Sequence, residues 1–219
     1  MDSSLTHLYI LLDRSGSMSS LREGAVSGIN RLVKTQTELE GQRCLVSIVQ
    51  FDAPEEGVDW YKRTCWMVES RDFSPLQQHD FIPRGMTAYH RAACMLIDQA
   101  GEHLASIHES RRPGKVIFTM VTDGLENASG PDYPKERLRD KIKHQESKYA
   151  WEFLYVGANQ DSYAVGANYG VSAMKCANFA PTSGGMEKMF DEIGVSALNY
   201  RSGKTANAVF DGPGIGVEK

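Results

Sequence analysis

The sequence has few of the features that mark secreted or membrane proteins. It contains four cysteines in 219 residues and no C-x-x-C pair. Cys44, Cys65, Cys94 and Cys176 therefore predict buried free thiols in a reducing compartment, not disulfides. The chain also has no run of about eighteen apolar residues, and its N-terminus does not combine a basic start with a long apolar core. We expect a cytoplasmic protein.

An excess of one charge is also missing. The chain has 24 basic and 28 acidic residues, which gives a formal net charge of −4, and its longest basic cluster is the pair Arg111 and Arg112. Neither a nucleic-acid partner nor a membrane partner is therefore expected. With 41% hydrophobic and 24% charged residues, a chain of this length can bury the core of one large domain.

Short apolar runs alternate with helical patterns along the chain. The runs 6–12, 45–51, 115–122 and 151–156 predict strands, and the segment around 60–68 predicts a strand that returns antiparallel at a sheet edge. Helical spacings separate these strands, and a helix, a short strand and a last helix follow up to residue 201. The order predicts an α/β fold with a doubly wound, mostly parallel central sheet, one antiparallel edge strand and helices on both faces. We expect one domain over 1–201 and a flexible, glycine-rich tail over 202–219.

Polar side chains follow two of the predicted parallel strands, where such sheets bind ligands. Asp13, Ser15 and Ser17 form a D-x-S-x-S pattern after the first strand, and Asp123 follows the strand 115–122. Thr87 stands in "PRGMTAYH", ahead of a predicted helix that it could also cap. Alone, D-x-S-x-S is more typical of a turn or a helix N-cap than of a metal site. Three separated motifs in this order are far more specific.

Together these motifs resemble the metal-ion-dependent adhesion site of the von Willebrand factor A domain family. The resemblance covers roughly residues 5–200 and implies a Rossmann-like von Willebrand factor A fold. It also implies the roles of the polar residues. Two serines and the threonine would ligate a divalent cation directly, and the two aspartates directly or through water, which gives the set Asp13, Ser15, Ser17, Thr87 and Asp123.

The donor atoms by themselves favour a hard cation. Hydroxyl and carboxylate oxygens without histidine or thiolate suit a small, six-coordinate Mg²⁺ better than the larger Ca²⁺. Mg²⁺ is therefore the expected cofactor, with Ca²⁺ or Mn²⁺ as alternatives. Because only two carboxylates face the ion, an open position remains for an Asp, a Glu or a C-terminal carboxylate of another protein.

We therefore expect a metal-dependent protein–protein interaction module. The resemblance to freestanding bacterial and phage members of the family implies an intracellular adaptor. One departure from the family is Met86, which stands where a second glycine often precedes the threonine, and we expect it to alter the rim of the site and not its oxygens. Glu126 and Asn127, close to Asp123, are expected to be rim or turn residues and not ligands.

Known enzyme patterns do not fit the sequence. The segment "RSGKT", 201–205, has Leu198 where a phosphate-binding P-loop needs glycine. A phosphotransfer enzyme that used Asp13 as nucleophile would usually carry a second aspartate at the position of Ser15. Neither Ser15 nor Ser17 has the glycine frame and histidine base of a serine hydrolase. We expect no enzymatic activity, with a metal-dependent phosphohydrolase of an unfamiliar type as the alternative.

Overall fold

The computed structural model describes residues 1–210. A six-stranded sheet forms the centre of the protein. Its strand order is β3-β2-β1-β4-β5-β6, with β2 and β3 antiparallel and the other neighbouring pairs parallel. This confirms the doubly wound sheet and its antiparallel edge strand. The strands are β1 (Asp2–Asp13), β2 (Arg43–Phe51), β3 (Tyr61–Glu69), β4 (Pro113–Thr122), β5 (Glu152–Gly157) and β6 (Cys176–Asn178).

The direction of the chain across the sheet reverses between β1 and β4. From β1 the chain runs outward to β2 and β3, then returns to β4 on the other side of β1 and continues to β5 and β6. The two central strands are parallel, with Leu12 opposite Val121. Their carboxyl ends therefore lie side by side, at the kind of switch point where open α/β sheets bind ligands.

Helices cover both faces of the sheet, as the sequence predicts. In β1, Leu8 and Ile10 point into one apolar core, and Tyr9 and Leu11 point into the other. This alternation follows from the two-residue period of a strand and requires an apolar layer on each side. Helices α1 and α5 cover the first face, and α2, α3 and α4 the second. Their bounds are α1 (Arg22–Thr35), α2 (Tyr89–Ser106), α3 (Lys135–Tyr149), α4 (Ser162–Asn168) and α5 (Ser183–Arg201).

The packed domain continues past residue 201, where the sequence predicts a tail to begin. Ala208 and Phe210 are buried against the first core. The Ala208 N–H donates to the Glu152 carboxylate at 3.2 Å, and the Phe210 N–H donates to the Met174 carbonyl at 2.9 Å. Two apolar residues in a glycine-rich segment form no pattern that predicts burial. The remainder of the predicted tail, 211–219, lies outside the described residues.

Two further expectations concern the thiols and the membrane. All four cysteines are free thiols, as the sequence predicts, and three of them are buried. No helix within residues 1–210 has the length and apolar character needed to cross a membrane.

Candidate metal centre

Asp13 ends β1 and is completely buried at the switch point. Its Oδ1 accepts a hydrogen bond from the Ser15 N–H at 2.7 Å, and its Oδ2 accepts one from the Thr122 hydroxyl at 2.6 Å. Burial raises the pKa of Asp13 to about 7, and the neighbouring Asp123 adds to the rise. A cation at this point would favour the ionised carboxylate.

The hydroxyls of the first loop reach across to the acid that follows β4. Ser17 Oγ donates to Asp123 Oδ1 at 2.7 Å, and Ser15 Oγ lies 3.1 Å from Ser17 Oγ. Burial also raises the pKa of Asp123. Ser17 and Asp123 are 106 residues apart, and only the parallel pairing of β1 and β4 brings them together.

Thr87 comes to the same place from the loop before α2. A Cβ atom built on Gly124 would lie 3.7 Å from Thr87 Oγ1 and 3.9 Å from Ser17 Oγ, so both hydroxyls border this glycine. The structure therefore gathers all the predicted ligands, from three loops, at the carboxyl ends of β1 and β4. These residues are Asp13, Ser15, Ser17, Thr87 and Asp123.

The centre is acidic, and within residues 1–210 neither Asp13 nor Asp123 forms an ion pair with a Lys, Arg or His side chain. Their carboxylates accept hydrogen bonds from Ser15, Thr122 and Ser17 instead. Within residues 1–210 there is no group of three His, Cys, Asp or Glu side chains that could hold a metal ion. A cation at this centre would therefore depend on the hydroxyls as well as on the two carboxylates. Two carboxylates and three hydroxyls are a hard, oxygen-only donor set, and they fit Mg²⁺ better than a softer metal such as Zn²⁺ or Cu²⁺.

Asn127 positions Thr87 through two hydrogen bonds. Its Oδ1 accepts a hydrogen bond from the Thr87 N–H at 2.8 Å, and its N–H donates to the Thr87 carbonyl at 3.1 Å. This agrees with the expectation of a turn residue. The sequence gives no sign of the contact, because the two residues are 40 positions apart.

Glu126 organises the start of α2. Its carboxylate accepts hydrogen bonds from the His90 N–H at 2.8 Å and from the Ser129 N–H and hydroxyl at 2.7 and 2.6 Å. The Ser129 hydroxyl oxygen in turn accepts from the Arg91 N–H at 2.9 Å. The N-cap position is Ala88, without a side-chain cap, so the loop after β4 serves as the cap and Thr87 does not.

Two arginines that sequence reasoning did not single out hold the loops in place. Arg14 Nε donates to Asp52 Oδ2 at 2.7 Å, and Arg84 Nε lies 3.0 Å from the same oxygen. The Arg84 N–H donates to the Arg14 carbonyl at 2.8 Å, and the Gly16 N–H donates to the Gly85 carbonyl at 3.1 Å. The first loop and the loop before Thr87 are therefore fixed to each other.

Comparison with known proteins supports the fold at low sequence identity. No protein-family model and no curated protein matches the chain. A von Willebrand factor type A structure from Catenulispora acidiphila matches with a TM-score of 0.55 and 14% identity, over 89% of this chain and 42% of the other. The pilus adhesin SpaC from Lactobacillus rhamnosus GG matches with a TM-score of 0.65 and 14% identity, over 89% and 30%.

A third solved structure is proximal thread matrix protein 1 from the mussel byssus. Its TM-score is 0.60 at 14% identity, over 85% of this chain and 46% of the other. The chain spans less than half the length of each of these three proteins. The fold is thus that of a von Willebrand factor A-like domain, with an oxygen-lined centre at its switch point.

Proposed function

We propose that this protein is a metal-dependent interaction module that holds Mg²⁺ at this centre and binds a carboxylate of a partner protein there. The observation that carries the proposal is the convergence of two buried carboxylates and three hydroxyls, which form no ion pair with a basic side chain within residues 1–210. Ca²⁺ or Mn²⁺ would suit the same oxygens as alternatives.

Some residues of the centre would ligate the cation, and others would hold these ligands in position. The three hydroxyls would ligate the cation directly, and Asp13 and Asp123 would ligate it directly or through water. Asp13 is fixed for this role by the Ser15 N–H and the Thr122 hydroxyl. Bound Mg²⁺ supplies an electrophilic centre, because two carboxylates and neutral hydroxyls leave room for a further anion. An Asp, a Glu or a C-terminal carboxylate of the partner is that anion.

We also propose binding in place of catalysis. The Ser15 hydroxyl contacts the Ser17 hydroxyl, and Ser17 donates to the Asp123 carboxylate, which is not the arrangement of a nucleophile with a histidine base. The alternative is a metal-dependent phosphohydrolase. Mg²⁺-dependent turnover of generic phosphoesters by the purified protein, lost in Asp13→Ala, would favour that alternative.

The cytoplasm is the proposed location, and an intracellular bacterial or phage adaptor the proposed role. Four free thiols support a reducing compartment. Of the similar structures, one is a pilus adhesin and one a byssus protein by name, so the location needs its own test. Fewer than four alkylated cysteines in protein unfolded without reductant would contradict it.

The central experiment compares the loss of metal with the loss of ligands. A partner is captured with the wild type in Mg²⁺ and not with Asp13→Ala or in EDTA, and its affinity is then measured by surface plasmon resonance. Removing Mg²⁺ and substituting Ser15 and Ser17 together by Ala should cause the same loss, and the two losses should not add. Truncating a buried charged contact costs about 2–5 kcal/mol, so we expect a weakening of about thirtyfold to several thousandfold.

A matched control comes from the same loop. Ser20 is exposed and follows the motif, so Ser20→Ala should bind as the wild type does. Undiminished affinity in chelator would refute a metal-bridged contact.

A further inference from the structure

Two large apolar side chains are exposed beside the metal centre. Met86 directly precedes Thr87 and is 53% exposed, and Leu125 directly follows Gly124 and is 61% exposed. Only seven large apolar side chains within residues 1–210 are exposed, and a third one, Ile82, lies in the same loop as Met86. Exposed apolar side chains that gather around a polar centre are typical of an interaction surface.

We call Met86 and Leu125 the apolar rim, and the two loops that carry them are fixed to each other. The loops that carry the two side chains are joined by hydrogen bonds between Thr87 and Asn127, at 2.8 Å from the Thr87 N–H to Asn127 Oδ1 and at 3.1 Å from the Asn127 N–H to the Thr87 carbonyl. A preorganised surface loses less conformational entropy when a partner binds. The rim is therefore suited to accept an apolar side chain beside the metal-bound carboxylate.

Arg84, in the same loop as Met86, does not offer an alternative docking contact. Arg84 is directed at Asp52, 3.0 Å away, and its other side lies 3.7 Å from Glu55. The Arg84 guanidinium is thus already paired with two carboxylates, of which Asp52 also pairs with Arg14. A partner with a run of acidic residues could therefore place one carboxylate on the proposed Mg²⁺, and its neighbouring residues would face apolar surface.

We propose that the partner presents its carboxylate with an apolar side chain, such as Leu, Ile, Val, Met or Phe, within two positions in sequence, and that this side chain covers Met86 and Leu125. The proposal rests on the proposed function, since the carboxylate is taken to bind at the metal centre. It adds what kind of acidic segment the protein selects.

The experiment is a selection from a random heptapeptide library displayed on phage. Immobilised protein is incubated with the library in Mg²⁺, washed, and eluted with EDTA, so that only metal-dependent binders are sequenced. The expected result is enrichment of Asp or Glu with an apolar residue within two positions. In the double variant Met86→Ser, Leu125→Ser, the apolar enrichment should fall at least threefold.

Met174→Ser is the matched control. Met174 is 65% exposed but precedes β6, which is parallel to β5. It therefore lies at the amino ends of the parallel strands, whereas the metal centre lies at their carboxyl ends. This variant should select the same sequences as the wild type.

The possible results separate the two proposals. Enrichment of acidic residues without apolar neighbours, or apolar enrichment that persists in the double variant, would overturn this inference and leave the metal-dependent function intact. A lack of EDTA-eluted acidic sequences from the wild type would overturn both. Should the double variant not fold, the wild-type sequences and the single variant Met86→Ser decide the question.

Discussion

The Nε atom of Arg14 lies 2.7 Å from Oδ2 of Asp52, and both side chains are almost completely buried. Arg14 occupies a variable position of the D-x-S-x-S pattern, yet its side chain is buried and pairs with Asp52. The carboxylate of Asp52 also receives Arg84. One acid behind the centre thus connects the loop of Ser15 and Ser17 to the loop of Thr87.

This relationship predicts a large effect of Asp52→Ala on stability. The substitution leaves the Arg14 guanidinium buried without its carboxylate, and breaking a buried ion pair costs about 3–5 kcal/mol. Urea denaturation in the absence of metal measures the loss. The ion pair of the exposed Arg43 with the partly exposed Glu69 provides the comparison, because Arg43→Ala should cost less than about 1 kcal/mol. Equal losses in the two variants would contradict a structural role for Asp52.

Asp123→Ala should weaken Mg²⁺ binding without unfolding the protein. Burial raises the pKa of Asp123, so the ionised carboxylate is unfavourable in the metal-free fold. Removing this side chain should therefore not destabilise that fold. We expect the affinity for Mg²⁺, measured by isothermal titration calorimetry, to fall at least roughly tenfold. Asp140→Ala, at an exposed acid on α3, should leave it unchanged. Unchanged affinity in Asp123→Ala would remove this residue from the centre.

Gly24→Ala should destabilise the contact between α1 and α5. A Cβ atom on Gly24 would lie 2.2 Å from the backbone oxygen of Ser183, so one of the helices must move. Overpacking of this kind typically costs about 1–3 kcal/mol. Gly184 follows Ser183 in α5, and a Cβ atom on it would have no neighbour within 4 Å. Gly184→Ala should therefore stabilise the protein by about 0.4–1 kcal/mol. Thermal denaturation of both variants tests the difference, and a stable Gly24→Ala would contradict the close approach.

His7 should make the protein sensitive to acid. It is buried in β1, with Nε2 2.9 Å from Ser47 Oγ, and burial lowers the pKa of His7 to about 3. The unfolded chain takes up this proton near the usual pKa of about 6.5. The contribution of neutral His7 is therefore fully present above about pH 6.5 and is lost as the pH falls toward 3, by up to about 1.4 kcal/mol per pH unit.

The variant His7→Gln isolates this effect, because glutamine does not titrate. Its unfolding free energy should depend less steeply on pH between 6.5 and 4 than that of the wild type. His79 is exposed, and His79→Gln should keep the wild-type slope. Identical slopes in all three proteins would show that His7 is protonated without cost in the folded state.

The sequence by itself determined the order of strands and helices and the D-x-S-x-S pattern. The run Val116–Val121 is apolar at nearly every position, so it had to be a strand covered on both faces. Asp13 and Asp123 follow directly after such strands, and in a parallel sheet the polar residues at those ends share an edge. These inferences needed only local periodicity and the known geometry of parallel sheets.

Only the tertiary structure decided how the centre is held. Asn127 fixes Thr87, and Asp52 joins Arg14 to Arg84, across separations of 40, 38 and 32 residues. It also decided that the chain stays packed as far as Phe210, which a glycine-rich composition did not predict. The physical reason is the same in each case. Periodicity reports which face of an element is buried, but the partner of a polar or isolated apolar side chain depends on which distant loops the sheet brings together.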